Sequence, residues 1–322
     1  RDDVESRGLG DVYKRQLVNW ENVKKGRMTL AAWVEKYTKD ENGLTPASMR
    51  SKRNAQARVE QYLLYIGKPN LGLKEVDKDF CKGFIAFLKT CTFNNGKKTL
   101  GSTTCRIFMN RLAAALNMAV REGLIDSNPF KLLDAKEKPQ KKSAIREFLT
   151  IEELRTLIAT PCRYDIVKKA FLFSCFTGLR YSDMMALKWN EIHKAADGKT
   201  LYIEHEQVKT KNTLTITLSN EALKWMPRKS KDSERVFHQL RITSTTVEVV
   251  LGEWMQEAGI QKHITYHCSR HTAATLLLTL GADLYTVSKI LGHQSIRMTE
   301  VYAKIVDKKK IETMNLVNNM FV

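Results

Sequence analysis

Six side chains in the second half of the chain are of types that act on phosphate esters: Arg180, Lys209, His267, Arg270, His293 and Tyr302. TGLRYSD (177–183) sets Arg180 just past a helix end, with Ser182 and Asp183 placed to cap the helix that follows. YHCSRH (266–271) puts His267 and Arg270 three residues apart, on one face of a helix start. LGH (291–293) places His293 at a helix C-terminus, and Tyr302 follows on the next short helix. Lys209 stands at the tip of a hairpin, with Lys211 two residues on as the alternative in another register. A phosphodiester under attack gathers negative charge on its non-bridging oxygens, and forked guanidinium donors match that charge. A phenol attacks phosphorus once its proton is taken, and a lysine can protonate the departing oxygen. The arginines would supply the positive field, so no metal and no cofactor is expected. His263, His267 and His271 recur every four residues, but no HExxH glutamate accompanies them and they are not read as a zinc site.

The elements that must position these groups are mostly helices. Thr150 and the acidic IEEL after it open one helix with a cap and a favourable first turn. KKAFLFSCFTGL (168–179) reads as a buried helix stopped by Gly178. LYIEHEQ (201–207) and TLTITLS (213–219) read as strands, the second alternating strictly, joined by the polar turn VKTKN. Further helices are expected over 244–258, 267–280, 283–291 and 296–305. A last stretch, 308–322, repeats apolar residues at Ile311, Met314, Val317 and Phe321, either as an ordinary packed helix or as one that docks on a neighbouring protomer.

Ahead of that half, 28–135 is helical in pattern. Thr45-Pro46 supplies an N-cap and a proline at the first helical position, and Asp77 can cap a third helix. Cys105, Phe108, Leu112, Ala115, Leu116 and Ala119 recur at spacings of three and four, the stripe of a packed bundle. GLIDSNPF (123–130) ends it, and KLLDAKEKPQKKSAIR (131–146) has no hydrophobic period. The expected architecture is mainly α with a small antiparallel β-hairpin or sheet.

The composition agrees with a globular protein: 43% of residues are apolar and 27% charged. No apolar run is long enough to span a membrane. With 53 Lys plus Arg against 35 Asp plus Glu, the formal charge of +18 calls for a polyanionic partner, and duplex nucleic acid is the commonest. Six cysteines without a CxxC pair point to a reducing, cytoplasmic setting, and a DNA partner would place the protein on the nucleoid when bound.

Residues 147–322 resemble the catalytic domain of the tyrosine recombinases, the phage-integrase family. The resemblance is carried in order and spacing by TGLRYSD, VKTKN, HCSRHTAATLLLTLGADLYTVSKILGHQSI and the tyrosine of TEVYAKI. By layout, 17–135 is similar to the family's SAM-like core-binding domain, with 136–146 as a basic linker. The resemblance implies that Arg180 and Arg270 clamp the scissile phosphate and that His293 hydrogen-bonds it. His267 would exchange a proton with the tyrosine or steady the charge at phosphorus. Lys209 would be the general acid, and Tyr302 the nucleophile that forms a 3′-phosphotyrosyl link. Asp183, where the family often has Glu, would brace an arginine, and His271 would pack structurally. It further implies a homotetramer on two sites of double-stranded DNA, with accessory DNA-bending proteins as possible partners and no membrane. A type IB topoisomerase-like relaxing enzyme and a non-catalytic DNA-binding regulator are the rival readings. The chain opens on Arg1, and DVYKRQ (11–16) matches a translated transposon-end sequencing adapter, so 1–16 is expected not to be native.

Overall fold

The computed structural model describes residues 28–40, 43–93, 98–140, 147–230 and 233–302. The chain divides into two compact units, one on either side of residue 144.

The first unit is helical because its caps and its apolar stripes agree. Helix α1 (Leu30–Lys39) starts where the Thr29 hydroxyl accepts from the Ala32 amide. Helix α2 (Pro46–Tyr65) starts at Thr45, and α3 (Lys78–Thr90) starts where the Asp77 carboxylate accepts from the Phe80 amide at 2.7 Å. Helix α4 (Ser102–Arg121) buries the whole expected stripe from Cys105 to Ala119. Trp33 is fully buried, and its indole N–H donates to the Ala115 carbonyl at 2.8 Å, so α1 is fixed to α4 by packing and by one hydrogen bond. A two-stranded ladder, β1 (Thr92–Phe93) with β2 (Lys98–Thr99), joins α3 to α4. Two residues per strand carry no periodic signal, which is why the sequence pattern passes over it.

Within the stretch expected to act as linker, residues up to 140 are tied to this unit. Glu137 pairs with Lys82 at 2.8 Å, the Ser102 hydroxyl donates to the Gln140 carbonyl, and Arg106 donates to the Pro139 carbonyl. Just before it, Leu133 is buried.

The second unit is built round a helix that is apolar on almost every side. Helix α5 (Ile151–Ala159) opens with the Thr150–Glu153 capping box. Helix α6 (Asp165–Thr177) buries Val167, Ala170, Phe171, Leu172, Phe173 and Cys175, the signature of a central helix. Phe171 meets Trp254 and Tyr266 edge-on at 6.1 and 5.8 Å, and the Tyr266 hydroxyl donates to the Ala170 carbonyl. Around it lie α7 (Tyr181–Ala186), α8 (Asn220–Trp225), α9 (Ser244–Glu257), α10 (Cys268–Thr279) and α11 (Leu284–Ile290). Strands β3 (Ile192–Lys194), β4 (Leu201–Glu206) and β5 (Thr213–Thr217) form an antiparallel sheet in that order. The period of two sends Ile203, His205, Leu214 and Ile216 inward, with Ile203 opposite Ile216.

Two expectations change here. The hairpin gains a third strand, β3, too short to alternate visibly. The helix expected over 296–305 is, as far as residue 302, two 3₁₀ turns, Ile296–Met298 and Glu300–Tyr302. The 308–322 stripe lies outside the described residues. Among the described residues no helix is long and apolar enough to cross a membrane.

Candidate active site

Helix α6 ends at Gly178, whose φ of +72° is left-handed and suits glycine. The chain then turns into α7 with Arg180 at the N-cap, in extended backbone. Asp183 therefore falls inside the first turn and does not cap. Its fully buried carboxylate faces two ways instead. One oxygen lies 3.5 Å from the Arg180 guanidinium, and the other accepts from the Val208 amide at 2.9 Å. Arg180 and the hairpin are thus held by one side chain.

Val208 opens the turn that carries Lys209. The turn closes where the Lys211 amide donates to the Gln207 carbonyl, with Lys211 itself at φ +59°. Lys209 stands exposed, whereas the Lys211 amine lies 3.5 Å from Glu206. Gln207 follows the inward register of His205 and is fully buried. It lies beneath the turn after α11, where a Cβ on Gly292 would sit 2.5 Å from the Gln207 amide nitrogen. Gly292 is left-handed at φ +60°, and the His293 amide behind it donates to the Ser288 carbonyl.

Arg270, on the first turn of α10, is 3% exposed. Its guanidinium donates to the Gly178 carbonyl at 2.7 Å and to the Leu291 carbonyl, the C-terminal ends of α6 and α11. Guanidinium has five N–H donors, so this side chain is anchored from behind with donors to spare. Burial, and after it the neighbouring Arg180 charge, push Arg270 down from its ordinary range to about 9; Tyr302 and Asp183 pull the other way. Two guanidiniums share one carboxylate, and the Arg180 Nη1 atom is buried without a hydrogen-bond acceptor among the described residues. A site with that imbalance is short of one anion.

Tyr302 is 5% exposed, its ring packed with Ala274, Leu278, Val287 and Leu291. Its hydroxyl is hydrogen-bonded to Nδ1 of His271. Its amide donates to the Thr299 carbonyl, and the hydroxyl of the fully buried Thr299 meets Nδ1 of His293 at 2.8 Å. His267 stands exposed at the residue before α10, its ring edge-on to His271 with centroids 4.8 Å apart.

The structure therefore joins Arg180, Arg270 and Tyr302 electrostatically, connects His293 to Tyr302 through Thr299, and sets His267 one ring away from the phenol. Lys209 is brought to the group only through its backbone neighbour. Three further residues belong to the constellation: Gln207, Asp183 and His271. Alternation in β4 signals the inward Gln207. Nothing local signals that His271 touches the phenol.

The sequence profile of the phage integrase family matches residues 147–309, half of the chain, so it covers every one of these groups. The chain belongs to the phage integrase family. The phage integrase SAM-like domain matches residues 29–139. A tyrosine recombinase of Pseudothermotoga lettingae is 24% identical over 265 residues, 80% of this chain and 88% of its own. The tyrosine recombinase XerC of Bacillus pumilus is 30% identical over 228 residues, 65% of this chain and 72% of its own. Among solved structures, the Tn1549 transposon integrase in complex with transposon right end DNA superposes with a TM-score of 0.68 at 17% identity, covering 90% of this chain and all of the other. A lambda integrase tetramer bound to a Holliday junction gives 0.62 at 19%, covering 92% and 88%. This phage integrase is a site-specific DNA recombinase, mainly α with a small antiparallel sheet.

Proposed function

We propose that this integrase cuts and rejoins double-stranded DNA at specific sites through a covalent link at Tyr302, acting as a homotetramer on two paired sites. Arg180 and Arg270 hold the two non-bridging oxygens of the scissile phosphate, and His267 and His293 donate to the same group. The Tyr302 oxygen attacks phosphorus in line, the bond to the 5′ oxygen breaks, and Lys209 protonates that oxygen. The product is a 3′-phosphotyrosyl link. A 5′-hydroxyl from another strand reverses the step, so neither ATP nor a metal ion is consumed. Lys209 suits the acid role better than Lys211, whose backbone closes the turn and whose amine lies by Glu206.

The observation that carries this reading is the pair of guanidiniums sharing one buried carboxylate beside a tyrosine hydroxyl. The formal charge of +18 fits the same polyanion.

The test is covalent capture on a nicked duplex whose site is selected from a random-sequence library. The expected result is a protein–DNA adduct with the parent and none with Tyr302→Phe, which still binds. Attachment surviving in Tyr302→Phe rejects the nucleophile. Relaxation of supercoiled DNA lacking that site favours the topoisomerase-like reading, and binding without any adduct favours the regulator.

A further inference from the structure

Deepening that reading, we propose that His271 is the base that takes the proton of Tyr302, a role that passes over His267. Their geometry is direct. Nδ1 of His271 meets the Tyr302 hydroxyl, although 31 residues separate them in sequence. The two ring centroids lie 5.8 Å apart. His271 is 7% exposed, and its helix is pinned at the next residue, where the Thr272 hydroxyl accepts from the Leu149 amide at 3.0 Å. A phenol is a better donor than acceptor and an imidazole nitrogen a better base than a phenol oxygen, so the proton belongs to Tyr302 at rest, directed at Nδ1. His271 then carries its own proton on Nε2.

The step balances. The hydroxyl proton moves to Nδ1 as the oxygen lone pair forms the new bond to phosphorus. The phosphorus bond to the 5′ oxygen breaks with its electron pair, and that oxygen takes a proton from the Lys209 ammonium, which becomes the neutral amine. On rejoining, Lys209 takes a proton from the attacking 5′-hydroxyl, and the imidazolium returns its own to the tyrosine. No other acid, base or oxidant enters.

The charged neighbours decide when the base is effective. On its own helix His271 has His267 and Arg270 beside it; Arg180 and Asp183 approach Arg270 from the segment after α6, and His293 reaches Tyr302 through Thr299. Two guanidiniums against one carboxylate disfavour an imidazolium nearby. A phosphodiester bound between the arginines supplies the missing negative charge, so proton uptake becomes favourable once DNA occupies the site. The phenol is thereby kept protonated until its target arrives.

Adduct formation on the nicked duplex, followed from pH 6 to 9, tests this with His271→Asn, whose amide oxygen can take the place of Nδ1 as acceptor but cannot take a proton. The expected outcome is DNA binding like the parent's, adduct formation about 100-fold slower, and loss of the imidazole-like limb of the pH profile. His267→Asn keeps that limb. His271→Asn forming adduct within threefold of the parent's rate, or slowing with the limb intact, overturns the assignment. Tyr302→Phe run alongside separates the two levels: an adduct there defeats the proposed function, and its absence leaves His271 alone under test. Where His271→Ala does not fold, the asparagine variant and its binding isotherm still decide.

Discussion

Gly178→Ala is the substitution whose effect follows most directly from the geometry, because three facts meet at that residue. Its φ of +72° suits glycine, its carbonyl accepts from Arg270, and a Cβ there would lie 2.5 Å from Cδ2 of Leu291, whose own carbonyl is the second acceptor for Arg270. An L-residue forced into the left-handed region costs roughly 1–2 kcal/mol. Overpacking a methyl against a fully buried leucine costs about 1–3 kcal/mol. The sum, roughly 2–5 kcal/mol, is a large fraction of an ordinary domain's stability. Hydrogen exchange of the slowest amides in α6 and α10 reads it locally. Relief of the overlap displaces both carbonyls behind Arg270, so adduct formation falls about 10- to 100-fold. A double-mutant cycle adds a control. Leu291→Ala alone costs roughly 2–5 kcal/mol, and combined with Gly178→Ala the total falls short of the sum by about 1–2 kcal/mol, because the clash is gone. Gly178→Ala within 0.5 kcal/mol of the parent, or strict additivity with Leu291→Ala, would refute the reasoning.

Other expectations concern the same site. Asp183→Ala leaves Arg180 without its carboxylate and Val208 without its acceptor, and costs about 3–5 kcal/mol in urea unfolding; Asp183→Asn, which can still accept from Val208, costs less than half of that while still slowing adduct formation. Sulfate fills the anion deficit: at ten times its dissociation constant it adds about 1.4 kcal/mol of stability, read as a raised unfolding midpoint that disappears in Arg270→Met. For Arg270 the folded value, about 9, lies below that of the unfolded chain. The unfolded chain therefore binds more protons between those values, and stability attributable to this residue rises with pH across that window. The parent minus Arg270→Met difference in a pH series of unfolding measurements checks it, and a difference falling with pH contradicts the sign. Thr299→Val removes the hydroxyl on His293 Nδ1, lowers stability by about 1 kcal/mol and slows adduct formation without abolishing DNA binding in a gel-shift assay.

Much of this arrangement is legible in the residues because its signals are local. Thr45, Asp77, Thr150 and Asp283 all cap the helices that they precede, and their side chains make the bonds that their types promise. The stripe of α4 and the alternation of β5 are single-period patterns, and both are buried as those periods require. What is hidden depends on partners distant in sequence. Asp183 reads by spacing as a cap beside Ser182, and only the family resemblance gives it an arginine to brace; Arg180 occupies the cap position, and Asp183 pairs with it and with a strand turn 25 residues on. His271 reads as packing next to Arg270, since no neighbour in sequence reveals a phenol 31 residues away. The 3₁₀ backbone at 296–302 escapes notice because MTEVY would suit a helix equally well, and Ser295 caps either form.

That backbone has a consequence for timing. Tyr302 arrives on two successive tight turns, closed by bonds such as Met298 to Ser295 and Tyr302 to Thr299, and not on a regular helix. Such turns have poorer hydrogen-bond geometry and little cooperativity, so they open for less free energy than the helices around them. Ile296, Met298 and Val301 on the same turns face solvent, and no burial holds those side chains in place. The tyrosine is therefore the most easily re-aimed member of a set in which Arg270 is fixed by two helix ends and Arg180 is paired with Asp183. The tempo of strand cutting should follow the rearrangement of these seven residues, and substitutions that stiffen them should change how often the protein cuts far more than how tightly it grips DNA.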